Sequence, residues 1–450
     1  MNMKGIRVVH FFGLACMLLS AFSAKAQTSP ALHYGLKDCI ARALENNYQI
    51  QISRNQEQTA HNNATLANAG GMPSIDASIG LRPNLTNVEH ATARATGETT
   101  RNFNTLDLSA DANVSLSWTI FDGFKIQTNY KQLQLLEKQG ENATRMAVED
   151  LVADIASEYY NYIQQIIRRQ NYLYAMELSR ERLRIAELNY QTGRFSGLDY
   201  HQARVDYHSD SSAYVRQREA VLTTCIHLNR LMANANVDQL IVLPDSTIQI
   251  RQDLNLDQLW QETLSRNASL LNASQNTMLA ELDLKKVMAR NYPYLRLNAQ
   301  YGYNYGHYGI SATRDRGNLG LSGGLSVGFN IFDGKRKSDR QNAELAIKNR
   351  QLQRQQLELD LHASLTTFWQ AYLNNLDLLS LQQENLKIAQ DNLEAAMDRY
   401  KLGNLSGFDM RQVQKNLLDA EERVLQAQYD AKICEISLLL ISGDIGWYMK

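Results

Sequence analysis

Residues 106–123, LDLSADANVSLSWTIFDG, decide the fold. Every even position from Leu106 to Ile120 is apolar (Leu106, Leu108, Ala110, Ala112, Val114, Leu116, Trp118, Ile120), and every odd position from Asp107 to Thr119 is polar. Such alternation puts one strand face in an apolar medium and the other in a polar one. At ~3.3 Å per residue the run spans about 50 Å. Strands in soluble domains mostly hold about 5 or 6 residues, whereas a membrane-spanning strand needs roughly 9 to 11. A strand of a large soluble sandwich is the competing reading, and a second copy argues against it. Residues 318–334, NLGLSGGLSVGFNIFDG, set Leu319, Leu321, Leu325, Val327, Phe329 and Ile331 against Gly320, Ser322, Gly324, Ser326 and Asn330, and end in the same Ile-Phe-Asp-Gly.

The N-terminus carries Lys4 and Arg7, an apolar run from Phe11 to Phe22, then Ala24-Lys25-Ala26, the pattern of a secretory leader over residues 1–26. Cys16 follows Gly13-Leu14-Ala15 and precedes further apolar residues, which disfavours a lipid anchor. Beyond the leader no apolar run approaches the roughly 20 residues a membrane helix needs, so a membrane-spanning reading has to use strands. Losing Lys4, Arg7 and Lys25 takes the formal net charge from −1 to about −4, without a basic footprint for nucleic acid. Cys39, Cys225 and Cys434 are widely spaced with no C-x-x-C pair and read as small apolar helix residues, not as disulfides or zinc ligands.

Leu36 to Ala69 reads as one helix stopped by Gly70-Gly71-Met72-Pro73. A strand follows at 74–88, alternating Ile75, Ala77, Ile79 and Leu81 with Asp76, Ser78, Gly80 and Arg82. It pairs as a hairpin with the strand at 106–121. From Lys125 to about Tyr190 there is no proline, and Val148, Val152, Ile155, Tyr159, Tyr162 and Ile166 step by four and three, the recurrence of packed helices. A turn at 192–197 leads into a shorter helix to Met232.

The same order then repeats. Leu264, Asn267 and Pro293 answer Leu44, Asn47 and Pro73 at an offset of 220; Phe332-Asp333-Gly334 answers Phe121-Asp122-Gly123 at 211; Tyr400-x-x-Gly403-x-x-Ser406-Gly407-Phe408-Asp409 answers Tyr190-x-x-Gly193-x-x-Ser196-Gly197-Leu198-Asp199 at 210. The expected division is a first repeat at 27–235, a linker in the equatorial region at 236–254, and a second repeat at 255–450 with strands at 294–308 and 318–332. Each long helix, about 66 residues, forms a rod of about 100 Å, matched by two short helices end to end. Four amphipathic strands cannot close a membrane barrel, whose smallest form has about eight, so copies of the chain have to associate. Two copies give eight strands and three give twelve, and the long helical stalk suits the wider ring.

With its duplicated order, its two Phe-Asp-Gly strand ends and its two Tyr-x-x-Gly turns, the chain resembles the TolC-like outer-membrane efflux family over essentially the whole mature sequence. The resemblance implies an α+β membrane protein. Its homotrimer forms a twelve-stranded β-barrel, four strands per chain, in the outer-membrane lipid of a Gram-negative bacterium. A long antiparallel α-helical barrel continues it through the periplasm to a periplasmic adaptor (membrane fusion) protein and an inner-membrane transporter. The implied function is a passive exit duct for efflux or type I secretion. The resemblance places Asp409 at an acidic constriction and Asp199 at the matching tip position, with Tyr400 in the same turn. Gln412 stands where a second aspartate is expected and Leu405 where an arginine is expected, with Arg194 as the substitute cation. The tip turns Gly193, Ser196, Gly197, Gly403, Ser406 and Gly407 are the implied adaptor contacts. Phe121-Asp122-Gly123 and Phe332-Asp333-Gly334 are the implied strand-to-helix junctions, with Phe121 and Phe332 near the inner boundary of the membrane.

The tip residues also admit a purely structural reading. Ser196-x-x-Asp199 and Ser406-x-x-Asp409 match helix capping boxes, and an acid in a first turn is stabilised by the helix dipole. His201 and His208 share one helix, where they read as solvated or packed residues and not as metal ligands. Tyr292, Tyr294, Tyr301, Tyr303, Tyr305 and Tyr308 suit an interfacial girdle, although tyrosine is also an ordinary strand residue. With no Ser-His-Asp order, phosphate loop or paired-carboxylate motif, neither enzymatic activity nor a cofactor is expected. The alternative function is a non-conducting periplasmic coiled-coil scaffold or adhesin stalk.

Overall fold

The computed structural model describes residues 32–92, 97, 99–245, 247–309 and 314–449; the expected leader, with Cys16, lies outside the described residues. The elements run β1 (Leu32–His33), α1 (Leu36–Asn46), α2 (Tyr48–Asn63), β2 (Ser74–Thr92), β3 (Thr99–Asp122), α3 (Lys125–Gln191), α4 (Gly197–Leu231), β4 (Ile241–Val242), α5 (Leu256–Arg266), α6 (Ala268–Ala289), β5 (Tyr294–His307), β6 (Asp315–Gly328), α7 (Arg336–Lys401) and α8 (Gly407–Ser442), closed by a 3₁₀ turn at Ile445–Met449.

Two antiparallel hairpins join into one sheet in the order β2-β3-β5-β6. Residues directly opposite one another in a ladder share a face. Ile79 pairs with Ala112 and Ala112 with Tyr303, which pairs with Leu319; Leu116 pairs with Ile75 and Ala299. The apolar alternation of all four strands therefore adds up to a single apolar face, half-buried along its central strands and most open on the outer ones, where Ile79 is 90% exposed and Leu321 77%. The other face carries Asp76, Ser115 and Gln300 in one row, and Arg82 there reaches Asp111 at 3.4 Å. Tyr301, Tyr303 and Tyr305 lie with the apolar set. Tyr294, expected among the girdle tyrosines, pairs with Asp122 and stacks under Arg296, 4.6 Å from its ring centroid, on the polar face.

At Ile120 the β3–β5 ladder slips by one residue, so Thr119 faces Arg296 but Phe121 faces Leu295. This bulge turns Phe121 onto the apolar face, where it meets Phe124 edge-on at 5.2 Å, and Phe124 meets Tyr292 at 5.9 Å. The chain then swings into α3: Asp122 Oδ1 accepts from the Ile126 amide at 3.0 Å, and Gly123 takes φ +73° with its missing Cβ position 2.3 Å from the Ala289 carbonyl. Only glycine fits there.

The second hairpin departs from the expected strand 318–332. β6 ends at Gly328, paired with Tyr294, and Phe332-Asp333-Gly334 lies beyond the ladder. The residue before Tyr294 is Pro293, which has no N–H to continue the pairing. Phe332 is 85% exposed there. The single helix expected over 36–69 is also split. Asn47 caps α2 by accepting from the Gln49 amide at 2.8 Å and donates to the Leu231 carbonyl at 3.0 Å; Asn267 caps α6 through the Leu270 amide and donates to the Ile441 carbonyl at 3.0 Å. Each Asn thus joins two short helices end to end with the C-terminus of α4 or α8.

α3 and α7, 67 and 66 residues long, run the length of the helical part. α3 packs on α2 and α6 near the strands and on α4 and α8 beyond the middle, while α7 packs on α6 and then α8. The main core sits at this waist around Ile40, Ile50, Val152, Ile155, Tyr159, Leu228 and Leu439. The expected linker wraps it. β1 and β4 pair in parallel, Tyr162 donates to the Ile241 carbonyl at 2.8 Å, and Tyr159 donates to Asp245 at 2.7 Å. A buried ion pair, Lys432–Glu435 at 2.7 Å, takes a further bond from the Tyr448 hydroxyl and fastens the C-terminal turn. Cys39, Cys225 and Cys434 are buried thiols on helices, and burial pushes Cys39 up to about 12. Among the described residues no helix is long and apolar enough to cross a membrane.

Candidate functional site at the helical tips

The far ends of the helices form two hairpins, α3–α4 and α7–α8, turned by the same chemistry. Gly193 and Gly403 take φ +76° and +77°, the left-handed conformation that ends a helix. Gly193 donates to the Tyr190 carbonyl at 3.0 Å and Arg194 to Asn189 at 2.8 Å; Gly403 and Asn404 repeat both bonds to Tyr400 and Arg399. Ser196 and Ser406 then cap α4 and α8. The Asp199 amide donates to Ser196 Oγ at 3.2 Å and the Asp409 amide to Ser406 Oγ at 3.1 Å, while both hydroxyls donate to the aspartate carboxylates at 2.7 Å. The expected capping box is complete at Ser196-Asp199, where the Ser196 amide also donates to the Asp199 carboxylate at 3.1 Å, whereas at Ser406-Asp409 that return bond is absent among the described residues; both carboxylates are exposed at the tip.

The two halves differ in what surrounds this frame. Tyr400 is 1% exposed, whereas Tyr190 is 49% exposed and stacks on Tyr200 at 5.6 Å. The difference follows from packing: Tyr400 lies between the hairpins, in a cluster with Ile185, Leu393, Met410 and Leu417. Burial pushes its hydroxyl above the ordinary value; Arg182 pulls the other way and Asp199 adds to the rise. Phe195 and Leu405, equivalent by the repeat, both pack on this cluster, so Leu405 occupies its position as an apolar plug. Arg194 is exposed and enters no ion pair among the described residues; Gln412 donates to Asn416 Oδ1 at 2.8 Å on its own helix. Gly197 and Gly407 are half-buried first residues of α4 and α8. His201 and His208 sit on α4 beside the rings of Tyr200 and Tyr207, at 5.3 and 5.7 Å.

Behind the turns lies a charge network that the sequence reading missed. Arg182, on α3 and 1% exposed, hydrogen-bonds Asp206 of α4 and reaches the Gly407 carbonyl of α8 at 3.4 Å. One turn on, Arg411 of α8 clasps Asp210 of α4 with two bonds of 2.6 and 2.8 Å, and Ser179 of α3 donates to the same carboxylate. The network thus ties both hairpins together. Burial pulls the Arg182 guanidinium below its ordinary range while Asp206 opposes the shift, and the Asp210 bonds raise Arg411. Arg182 Nε is buried without an acceptor among the described residues. A cavity of about 410 Å³, lined by Leu198, Asp199, Phe408 and the network residues Arg182, Asp206 and Arg411, lies between α4 and α8. The available signal was a polar interruption of the buried α3 stripe, Ser179 and Arg182 beside Ile185 and Ala186.

Against known proteins, the family model described as outer membrane efflux protein matches residues 39–234 and 259–444, one segment on each repeat. The outer membrane efflux protein BepC of Brucella suis biovar 1 is 22% identical over 444 residues, covering 95% of this chain and 89% of that protein. Among solved structures, a membrane protein from Pseudomonas aeruginosa superposes with a TM-score of 0.76 at 16% identity, over 92% of this chain and 91% of that one. The CmeC outer membrane channel of Campylobacter jejuni gives 0.74 at 16% identity, over 91% and 85%. At these identities the structural likeness establishes the fold.

Proposed function

The chain belongs to the outer membrane efflux protein family, and from that premise we propose that three copies form a closed duct. It carries solutes passively from a periplasmic adaptor and an inner-membrane transporter across the outer membrane. The observation that carries this reading is the open four-stranded sheet. It has one apolar face and two unpaired edges, β2 and β6, and an open edge is not tolerated in lipid. Pairing β6 of one copy with β2 of the next, head to tail, closes a ring of twelve strands.

The helices support the same seam. α7 exposes Leu345, Leu352, Leu359 and Leu373, then Leu381 and Ile388, at spacings of seven or fourteen within each run; α4 exposes Leu198, Val205, Val215 and Leu222. Heptad stripes on the two opposite flanks of one protomer suit packing of α7 on α4 of the next copy. In this ring the tips converge on the axis, and three copies of Asp409 crowd negative charge there, disfavouring anions and attracting cations. Asp199, Tyr400, Arg194, Leu405 and Gln412 surround that constriction. The Arg182–Asp206 and Arg411–Asp210 pairs act as the latch between hairpins, in place of bonds that Leu405 and Gln412 cannot make. The turns at Gly193, Ser196, Gly197, Gly403, Ser406 and Gly407 face the adaptor, and the transporter supplies the energy.

The mass of the detergent-extracted protein tests the assembly. Three chains per particle are expected, and deleting 106–120 with 319–331 should abolish extraction from the membrane fraction. A monomer that stays in solution without detergent contradicts the proposal and leaves the non-conducting stalk.

A further inference from the structure

On the tip face that carries Gln412, α7 and α8 enclose a groove of about 550 Å³, within the range of roughly 300–1,000 Å³ typical of small-molecule sites. Asn392 and Arg399 on α7 and Asn416, Asp419 and Arg423 on α8 form its walls, over a floor of alanines and Val413. Neither the Arg399 nor the Arg423 guanidinium enters a hydrogen bond or ion pair among the described residues. Four arginines of the same helical half have carboxylate partners, Arg168 with Glu422, Arg182 with Asp206, Arg184 with Glu181 and Arg411 with Asp210, whereas Arg194, like these two unpaired among the described residues, lies outside the groove. Two free guanidinium groups and the single Asp419 carboxylate leave the groove one net positive charge. Guanidinium is the side chain best shaped to take a carboxylate or sulfonate through two parallel bonds.

We propose that this groove is a subsite for organic monoanions on the conduction path, with Arg399 and Arg423 holding the anionic group and the alanine-lined floor taking its apolar body. The placement on the path rests on the duct reading, in which Gln412 faces the axis. Gln412 bonds Asn416 one turn further along α8, so the groove shares that face. Residues 419 and 423 lie about 15–20 Å along the helix from Asp409. Arg423 thus lies beyond the Debye length of about 8 Å at physiological ionic strength, so the acidic tip does not cancel its charge, while Arg399, in the last turn of α7, carries the groove up to the tip itself. The tunnel therefore presents two successive selectivity elements of opposite sign, and an amphiphilic anion past the tip is retained on the wall.

Naphthalene-2-sulfonate, with its neutral hydroxymethyl and cationic aminomethyl analogues, tests the site by titration calorimetry on the purified protein in lipid nanodiscs. The sulfonate is expected to bind at least about tenfold more tightly than either analogue. The Arg399→Gln, Arg423→Gln double variant, checked for native oligomer mass, should lose that preference, and the Arg399→Lys, Arg423→Lys variant should keep part of it. Equal affinity for the three probes, or an undiminished preference in the glutamine variant, overturns the site. Its place on the path is tested separately with Asn416→Cys, since Cys39, Cys225 and Cys434 are buried. A bulky maleimide at residue 416 should block single-channel current. Complete labelling with unchanged current overturns the placement on the path, while the binding result stands independently.

Discussion

Replacing Asp206 with asparagine removes the counter-charge of Arg182 while nearly preserving side-chain shape. Arg182 is 1% exposed and Asp206 13%. Removing one partner of a buried pair costs about 3–5 kcal/mol, and the partial exposure of Asp206 places the change near 3. Little compensates: the remaining bond to the Gly407 carbonyl is long, at 3.4 Å, and the like charge of Arg411 opposes the bare guanidinium. The cost falls on the arrangement in which the hairpins are held together, because separated hairpins return Arg182 to water. A difference of about 3 kcal/mol shifts that equilibrium by up to roughly 150-fold. In planar bilayers, Asp206→Asn should therefore dwell far longer in high-conductance states than the native protein, and Asp206→Glu should stay close to native. An Asp206→Asn protein of native mass whose dwell times match the native protein would refute the latch, leaving the network as packing.

Ser406→Ala removes the α8 cap and should lower stability by about 1 kcal/mol, read as faster amide exchange in the first turn of α8. Glu421 is raised to about 7 by burial, with Glu422 adding to the shift. Its folded-state pKa lies above the unfolded value, so its contribution is fully present below about pH 4.5 and is lost as pH rises through 7. Glu421→Gln should accordingly raise stability at pH 8 by no more than about 2 kcal/mol after allowance for screening, read as a higher Tm, and leave Tm unchanged near pH 4.5. Glu435→Ala strands the buried Lys432 ammonium and should cost about 3–5 kcal/mol, visible as a lower Tm and early release of the C-terminal turn to proteolysis. Leu352→Glu with Leu359→Glu places charge in the α7 stripe and should shift the detergent-extracted particle from trimer to monomer by mass.

Strand faces were legible in the sequence because a period of two depends on no partner, and the long rods because proline is absent from them. The tip turns were legible because Gly193, Gly403 and the two Ser-x-x-Asp caps are local chemistry. What escaped depends on the opposite side of a contact. Asn47 and Asn267 stood out only as repeat markers, since asparagine breaks these helices by reaching the Leu231 and Ile441 carbonyls 184 and 174 residues away. The end of β6 at Gly328 is set by Pro293 on its neighbour, and Phe121 changes face through a slip in pairing at Ile120. The latch joins Arg411 to Asp210 across 201 positions, a pairing no spacing rule reaches. Leu405, marked as an absent arginine, proves to be a packing residue.

The central claim is that the assembled chain conducts. Single-channel current across a planar bilayer holding the purified protein measures it directly. Discrete conductance steps are expected, reduced by a multivalent cation added on the helical side and restored toward native in Asp409→Asn with that cation present. Protein verified as inserted and trimeric that carries no current, in both the native and the Asp206→Asn forms, would contradict the duct.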